Sequence, residues 1–224
     1  PVPVKEDEAV DDARMELVLD DKGTAKGTVK LVLRGQTAQS LAESFNYVVG
    51  DDRRNMLRSV VQSWIPWASV DDVQLSSKEG SWEVGLDAQV TIPGFGSLEG
   101  KDGKTWILPG VDPARRGTIA QIYASKAERE SALNLDWPIQ YRLTRTIKLP
   151  AGSKVDKLAS PIDEKGQFLQ AKRTTKVEGD TIVEEFVMNL PTGTVDASDY
   201  RAFLDDVQSV DSGFQASTRL RVKP

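Results

Sequence analysis

Cysteine and histidine are both absent from this 224-residue sequence. Their absence removes the nucleophile or the proton acceptor from Cys-His and Ser-His-Asp hydrolysis. It also excludes disulfides and cysteine-based zinc sites, while leaving the redox compartment open. A Ser-Lys enzyme needs neither residue, but the chain contains no Ser-x-x-Lys. A basic excess is missing too. The 29 Lys and Arg stand against 34 Asp and Glu, with both signs interspersed, so no stripe is present that would displace counterions from nucleic acid. No apolar run approaches the roughly 20 residues of a bilayer-spanning helix.

The composition that is present, 39% hydrophobic and 28% charged, is that of a chain that folds. Its length suits one large domain or two smaller ones. The sequence opens at Pro1 with an acidic, aperiodic lead-in containing Lys5-Glu6-Asp7-Glu8 and Asp11-Asp12, as expected of a processed protein or, the favoured reading, of a fragment that begins in a linker.

Period-2 runs at Met15–Leu19 and Thr28–Leu33 flank Asp20-Asp21-Lys22-Gly23 and predict a hairpin. The period then lengthens, predicting helices near 37–49 and 52–65. In the second, Met56, Leu57, Val60, Val61, Trp64 and Ile65 share one face, with Asp51 or Asp52 expected as N-cap and Pro66 ending the run. Strand patterning resumes at Val70–Leu75, Trp82–Val90 and Thr105–Leu108, between glycine-rich turns. From Pro109 to Trp137 no period holds, which suggests a boundary or long crossover. Strands return at Ile139–Leu149, Phe168–Lys176 and Thr181–Asn189. A short helix capped by Ser198 is expected to run to about Val207, before a last strand from Phe214 to Val222. The reading is mainly β (α+β), with antiparallel sandwich-like sheets, two consecutive helices in the N-terminal half and a short helix before the last strand. The expected division is 1–112 and 113–224, with one continuous domain as the alternative.

Local motifs carry little chemistry. Gly103-Lys104-Thr105 ends like a phosphate loop, but Leu98 stands where that loop needs glycine, and Gly94-Phe95-Gly96 meets Glu99 where a dinucleotide fingerprint needs its third glycine. The acidic pairs Asp20-Asp21, Asp51-Asp52, Asp71-Asp72 and Asp205-Asp206 fall outside the calcium-loop spacing. No catalytic, cofactor-binding or metal-ligating residue is therefore assigned. Among Trp64, Trp67, Trp82, Trp106 and Trp137, burial is expected for most, and Trp106, beside the glycine-rich loop, is the candidate for an exposed binding surface.

The order of several features resembles a bacterial family, the large transglutaminase-like proteins whose papain-like core precedes a β-rich region of unknown function. The similar stretches are Leu17-Val18-Leu19-Asp20-Asp21-Lys22-Gly23, Arg34-Gly35, and Arg53-Arg54 ahead of Trp64-Ile65-Pro66-Trp67-Ala68. Further along come Arg129, Leu133-Asn134-Leu135-Asp136-Trp137-Pro138, Ile147-Lys148-Leu149-Pro150-Ala151-Gly152 and Tyr200-Arg201-Ala202-Phe203. The resemblance implies a catalytic Cys, His and Asp in an upstream core, none of them in this chain. It also implies an exported, periplasmic or cell-envelope parent and a β-sandwich tail with an accessory role. The leading expectation is thus a non-catalytic module that packs on that core or mediates protein interaction. An independent carbohydrate- or peptide-binding sandwich is the alternative, and a carboxylate-dependent hydrolase a third.

Overall fold

The computed structural model describes residues 10–45, 47–77, 83–99, 105–115 and 117–222. The acidic lead-in through residue 9, Trp82, Gly100 and Gly103-Lys104 lie outside the described residues. The expected hairpin is β1 (Asp11–Leu19) and β2 (Ala25–Arg34), paired antiparallel from Asp12↔Val32 to Leu19↔Ala25. Its turn closes because the Asp20 carboxylate accepts the Lys22 and Thr24 N–H groups, while Gly23 takes φ +82°.

Helices α1 (Gly35–Ser44) and α2 (Gly50–Gln62) follow. The apolar stripe of α2 points inward as its spacing requires: Leu57 and Val61 are buried and Met56 and Val60 partly so, while the helix ends at Gln62, short of the expected 65, and Trp64 and Ile65 are buried in the turn that follows it. The expected aspartate cap is corrected. Val49 occupies the N-cap without a side-chain bond, and Asp51 and Asp52 lie in the first turn, where they complement the positive end of the helix dipole.

Next come β3 (Ser69–Ser77), β4 (Glu83–Ile92), β5 (Ser97–Glu99) and β6 (Thr105–Leu108). The weakly patterned stretch after them holds α3 (Ile119–Tyr123) and β7 (Leu133–Leu135). Beyond it are β8 (Ile139–Lys148), β9 (Lys154–Lys157), β10 (Ile162–Lys165), β11 (Gln170–Glu178), β12 (Thr181–Leu190) and β13 (Gly193–Val195). Helix α4 (Tyr200–Gln215) and β14 (Thr218–Arg221) complete the described order. The helix before the last strand is present and continues past Val207, because Phe203, Val207, Val210 and Phe214 extend one buried stripe through its final turn. Ser198 is not its cap; Asp199 is, without a side-chain bond. Phe214 accordingly belongs to the helix rather than to the last strand.

The fold is mainly β and sandwich-like. An eight-stranded sheet runs β10-β11-β12-β8-β1-β2-β4-β3, beside a four-stranded sheet β5-β6-β14-β9 and the pair β13-β7. Pairing is antiparallel except between β1 and β8, which run parallel from Asp11↔Tyr141 to Val18↔Lys148. Strands from 1–112 and from 113–224 thus share one sheet, and β6 pairs with β14 in the smaller one. Burial alternates along β1, β4, β8 and β12. Met15, Leu17, Leu31, Leu86, Leu143, Ile147 and Phe186 face the core, while Arg14, Glu16, Lys30, Asp87 and Glu185 face outward.

Candidate functional site

Charged side chains at inward-facing strand positions are the first anomaly. Arg145 on β8, Arg173 on β11 and Glu184 on β12 are all buried. Arg145 donates through Nε to Glu184 Oε2 at 2.8 Å, and Arg173 donates to Oε1 at 2.7 Å. Burial would raise the Glu184 carboxyl, but the charges and hydrogen bonds of the two arginines outweigh it and hold the group below its ordinary 4.5. Arg173 Nε is buried without a partner, while other donors of the two arginines reach backbone. Arg145 bonds the Pro109 carbonyl at 2.7 Å, and Arg173 bonds those of Gly213 at 2.8 Å and Ala216 at 2.7 Å. The triad therefore ties the sheet to the loop after β6 and places a cation at the negative end of α4.

Two other buried carboxylates are also fully engaged. Asp211 on α4 accepts the Ile119 and Ala120 N–H groups at 2.8 and 3.0 Å, supplementing the Thr118–Gln121 capping box of α3. Burial raises its pKa, and these two N–H bonds oppose the shift without cancelling it. Asp11 accepts the Arg34 N–H at 2.9 Å and an Arg115 donor at 2.6 Å; burial raises it against both. With their oxygens committed to structural donors, none of the three is placed as a proton-transfer group. No group of three or more acidic residues suited to a metal occurs among the described residues.

Arg115 is unusual in a second way, since it is a non-glycine residue at φ +67°. That conformation turns its guanidinium over the Trp64 ring at 4.3 Å, with the Tyr141 ring at 5.6 Å. Trp64 and Tyr141 meet edge to face at 5.3 Å. Within this cluster Trp64 Nε1, Arg115 Nε and the Tyr141 hydroxyl are buried without partners. Desolvation pushes the Tyr141 phenol well above its ordinary value. The Pro109–Trp137 stretch, featureless in sequence, supplies Arg115; its position is legible only in three dimensions.

The tryptophans divide sharply. Trp106, the expected exposed surface, is buried, 6% exposed, and a Cβ on Gly96 would lie 2.7 Å from its ring. The correction has a simple cause: on β6 Trp106 shares the inward parity of Leu108. Trp64 is buried as expected. Trp67 and Trp137 are 51% and 66% exposed, and Ile122 on α3 is 52% exposed.

Trp137 is held with unusual firmness for an exposed residue. The Tyr123 hydroxyl donates to the Trp137 carbonyl at 2.6 Å and accepts its N–H at 2.9 Å. Other residues of the C-terminal stretches are also anchored. Leu133 and Leu135 are buried on β7, which pairs with β13. Tyr200 donates to the Lys126 carbonyl at 2.6 Å, and the Arg129 guanidinium lies 5.7 Å over the Tyr200 ring. A fixed backbone thus presents a large aromatic side chain to solvent, the arrangement that anchors protein interfaces at low ordering cost.

No curated protein and no solved structure matches the chain. Residues 108–216, which include Trp137 and its supports, match a domain family described as Domain of Unknown Function with solved-structure structure (DUF3858).

Proposed function

We propose that this chain is a non-catalytic accessory module that docks through the Trp137 surface onto a transglutaminase- or protease-like core in the same polypeptide. The observation that carries this reading is the Tyr123 clamp, which fixes the backbone of a tryptophan left 66% exposed. A merely solvated loop has no need of a phenol committed to both its N–H and its carbonyl. The absence of histidine and cysteine supports a non-catalytic role, as does the engagement of Asp11, Glu184 and Asp211 with structural donors. The link to that core, and an exported or cell-envelope setting, rest on the resemblance of the Leu133–Pro138 and Tyr200–Phe203 stretches. An independent glycan-binding sandwich is less well supported, because burial of Trp64 and Trp106 breaks up the aromatic platform it requires.

The test begins with the complete gene product. If it encodes a papain-like core, that core is expressed separately and titrated with this chain and with its Trp137→Ala variant. Wild-type binding weakened at least tenfold by the substitution, with an unchanged circular dichroism spectrum, is the expected result. Absence of such a core, or equal affinity of the two forms, overturns the reading.

A further inference from the structure

The outer face of the large sheet carries an open pocket of about 360 Å³ over β10, β11, β12 and β8, within the size range of ligand sites. Strand register sets its lining in two rows. Gln170, Asn189 and Gln140 are cross-strand partners in one; Lys172, Val187 and Arg142 are partners in the next, two residues along each strand. The rows therefore run side by side about 6.5–7 Å apart, with parity opposite to that of buried Ala171, Met188 and Tyr141. Each row has its own chemistry. In the first, Gln140 Nε2 donates to Asn189 Oδ1 at 2.7 Å. That bond leaves the Asn189 amide hydrogens as donors beside the Gln140 oxygen as acceptor, the complement of a peptide C=O and N–H. In the second, Val187 is 38% exposed between its two cationic partners. One aliphatic residue seats the methylenes of a side-chain stem, whereas a sugar ring calls for a broader aromatic face.

Charge decides the sign of the ligand. Lys165 on β10 is paired with Asp163 at 3.2 Å, whereas Lys172 has no ion pair among the described residues. Glu164 does not supply one. Its register partner is buried Ala171, so its side chain has inward parity, where burial and then the Glu164 charge raise the pKa of Asp206 on α4. A carboxylate reaching Lys172 gains a charge-assisted hydrogen bond, and a cation there is repelled.

We propose that the pocket binds an acidic, extended segment of another polypeptide. A glutamate carboxylate of that segment accepts from Lys172, and its methylenes cover Val187. The peptide group of the same residue pairs with the Asn189 and Gln140 amides one row away. The row spacing suits the reach of a glutamate from backbone to carboxylate, so both contacts form at once, one giving charge selectivity and the other register. The site stands apart from docking through Trp137, which lines no part of this pocket.

The test is a nitrogen-15 NMR titration of the whole chain, with the Asn189 side-chain amide assigned by its disappearance in Asn189→Asp. The probes are acetyl-tetraglutamate amide, its neutral tetraglutamine counterpart and, separately, sodium glucuronate. A saturable shift of the Asn189 amide with tetraglutamate is expected, with roughly tenfold weaker binding of tetraglutamine and no shift with glucuronate at the same concentration. Lys172→Glu, at an exposed outward position, weakens tetraglutamate binding roughly tenfold, while Lys157→Glu on β9 leaves it unchanged. Lys172→Gln replaces the first variant should it unfold. No saturable shift with tetraglutamate overturns the proposal. Equal affinity for tetraglutamine, an equal shift with glucuronate, or equal weakening by Lys157→Glu overturns it as well.

Discussion

Glu184 shows how a single carboxylate can hold three elements together. It pairs with Arg145 and Arg173, and the same guanidiniums bond carbonyls after β6 and at the end of α4. Glu184→Gln leaves two buried cations without their counter-charge and is expected to cost about 3–5 kcal/mol in urea unfolding. Replacing all three residues by apolar ones, often neutral for an isolated buried pair, is here also destabilising, because the Pro109, Gly213 and Ala216 carbonyls lose their donors. Tyr123→Phe removes the clamp on Trp137. The expected loss is about 1–3 kcal/mol, with faster hydrogen exchange at the Trp137 amide as the direct readout. Asp211 supplies the pH dependence. Its folded pKa is raised above the ordinary 3.8 by burial, so the folded state holds the proton more tightly than the unfolded chain. Its contribution is greatest below 3.8, declines as pH rises toward the raised folded value, and is level above it. Glu184 has the opposite sign: its contribution is present above 4.5 and is lost as pH falls through its depressed folded pKa. In urea unfolding across this range, wild type is expected to lose stability relative to Asp211→Asn as pH rises from 3.8. A flat difference curve contradicts the assignment.

At the scale of elements, turn chemistry and edge chemistry explain why the sheet is built as it is. Gly23 takes φ +82°, and a Cβ there would overlap the Gly96 carbonyl oxygen, to which Gly23 is already close because its own carbonyl accepts the Gly96 N–H at 2.9 Å. Gly23→Ala is therefore expected to cost more than about 1 kcal/mol, measured as a lowered midpoint in thermal unfolding. The outer strands of the large sheet differ in their protection. On β3 the register shifts between Val70 and Asp72, and Arg58 bonds the Asp71 carbonyl at 3.3 Å. At the other edge β10 has only four residues and carries Asp163, Glu164 and Lys165. Bulges, charges and short length all discourage pairing with a further strand. The period of the sequence exposed the hairpin β1–β2, the stripe of α2 and most long strands, since each is a local pattern. It concealed the end of α4, where Ser209, Asp211 and Gly213 interrupt the composition while Val210 and Phe214 maintain the stripe. It could have revealed α3, because Thr118 and Gln121 stand at capping-box spacing.

For the whole molecule, what sequence pattern could not supply is long-range. Nothing local distinguishes a parallel β1–β8 pair from another antiparallel one, so the joining of the two halves through a single sheet emerges only in the fold. The buried triad left a trace in the sequence, since Arg145 stands between Leu143 and Ile147, and Glu184 between Ile182 and Phe186, at inward parity. The Trp137 surface left less. Its exposure depends on the loop after β7, and its rigidity on a tyrosine fourteen residues earlier in sequence. These features describe a sheet stapled internally by Glu184 that leaves a clamped tryptophan exposed, the surface proposed above to dock. The most direct measurement is hydrogen–deuterium exchange of the full chain with and without the papain-like core proposed for its gene product, expressed separately. The account predicts protection centred on 136–138 and α3, lost in Trp137→Ala; unchanged exchange in both segments at saturating core contradicts it.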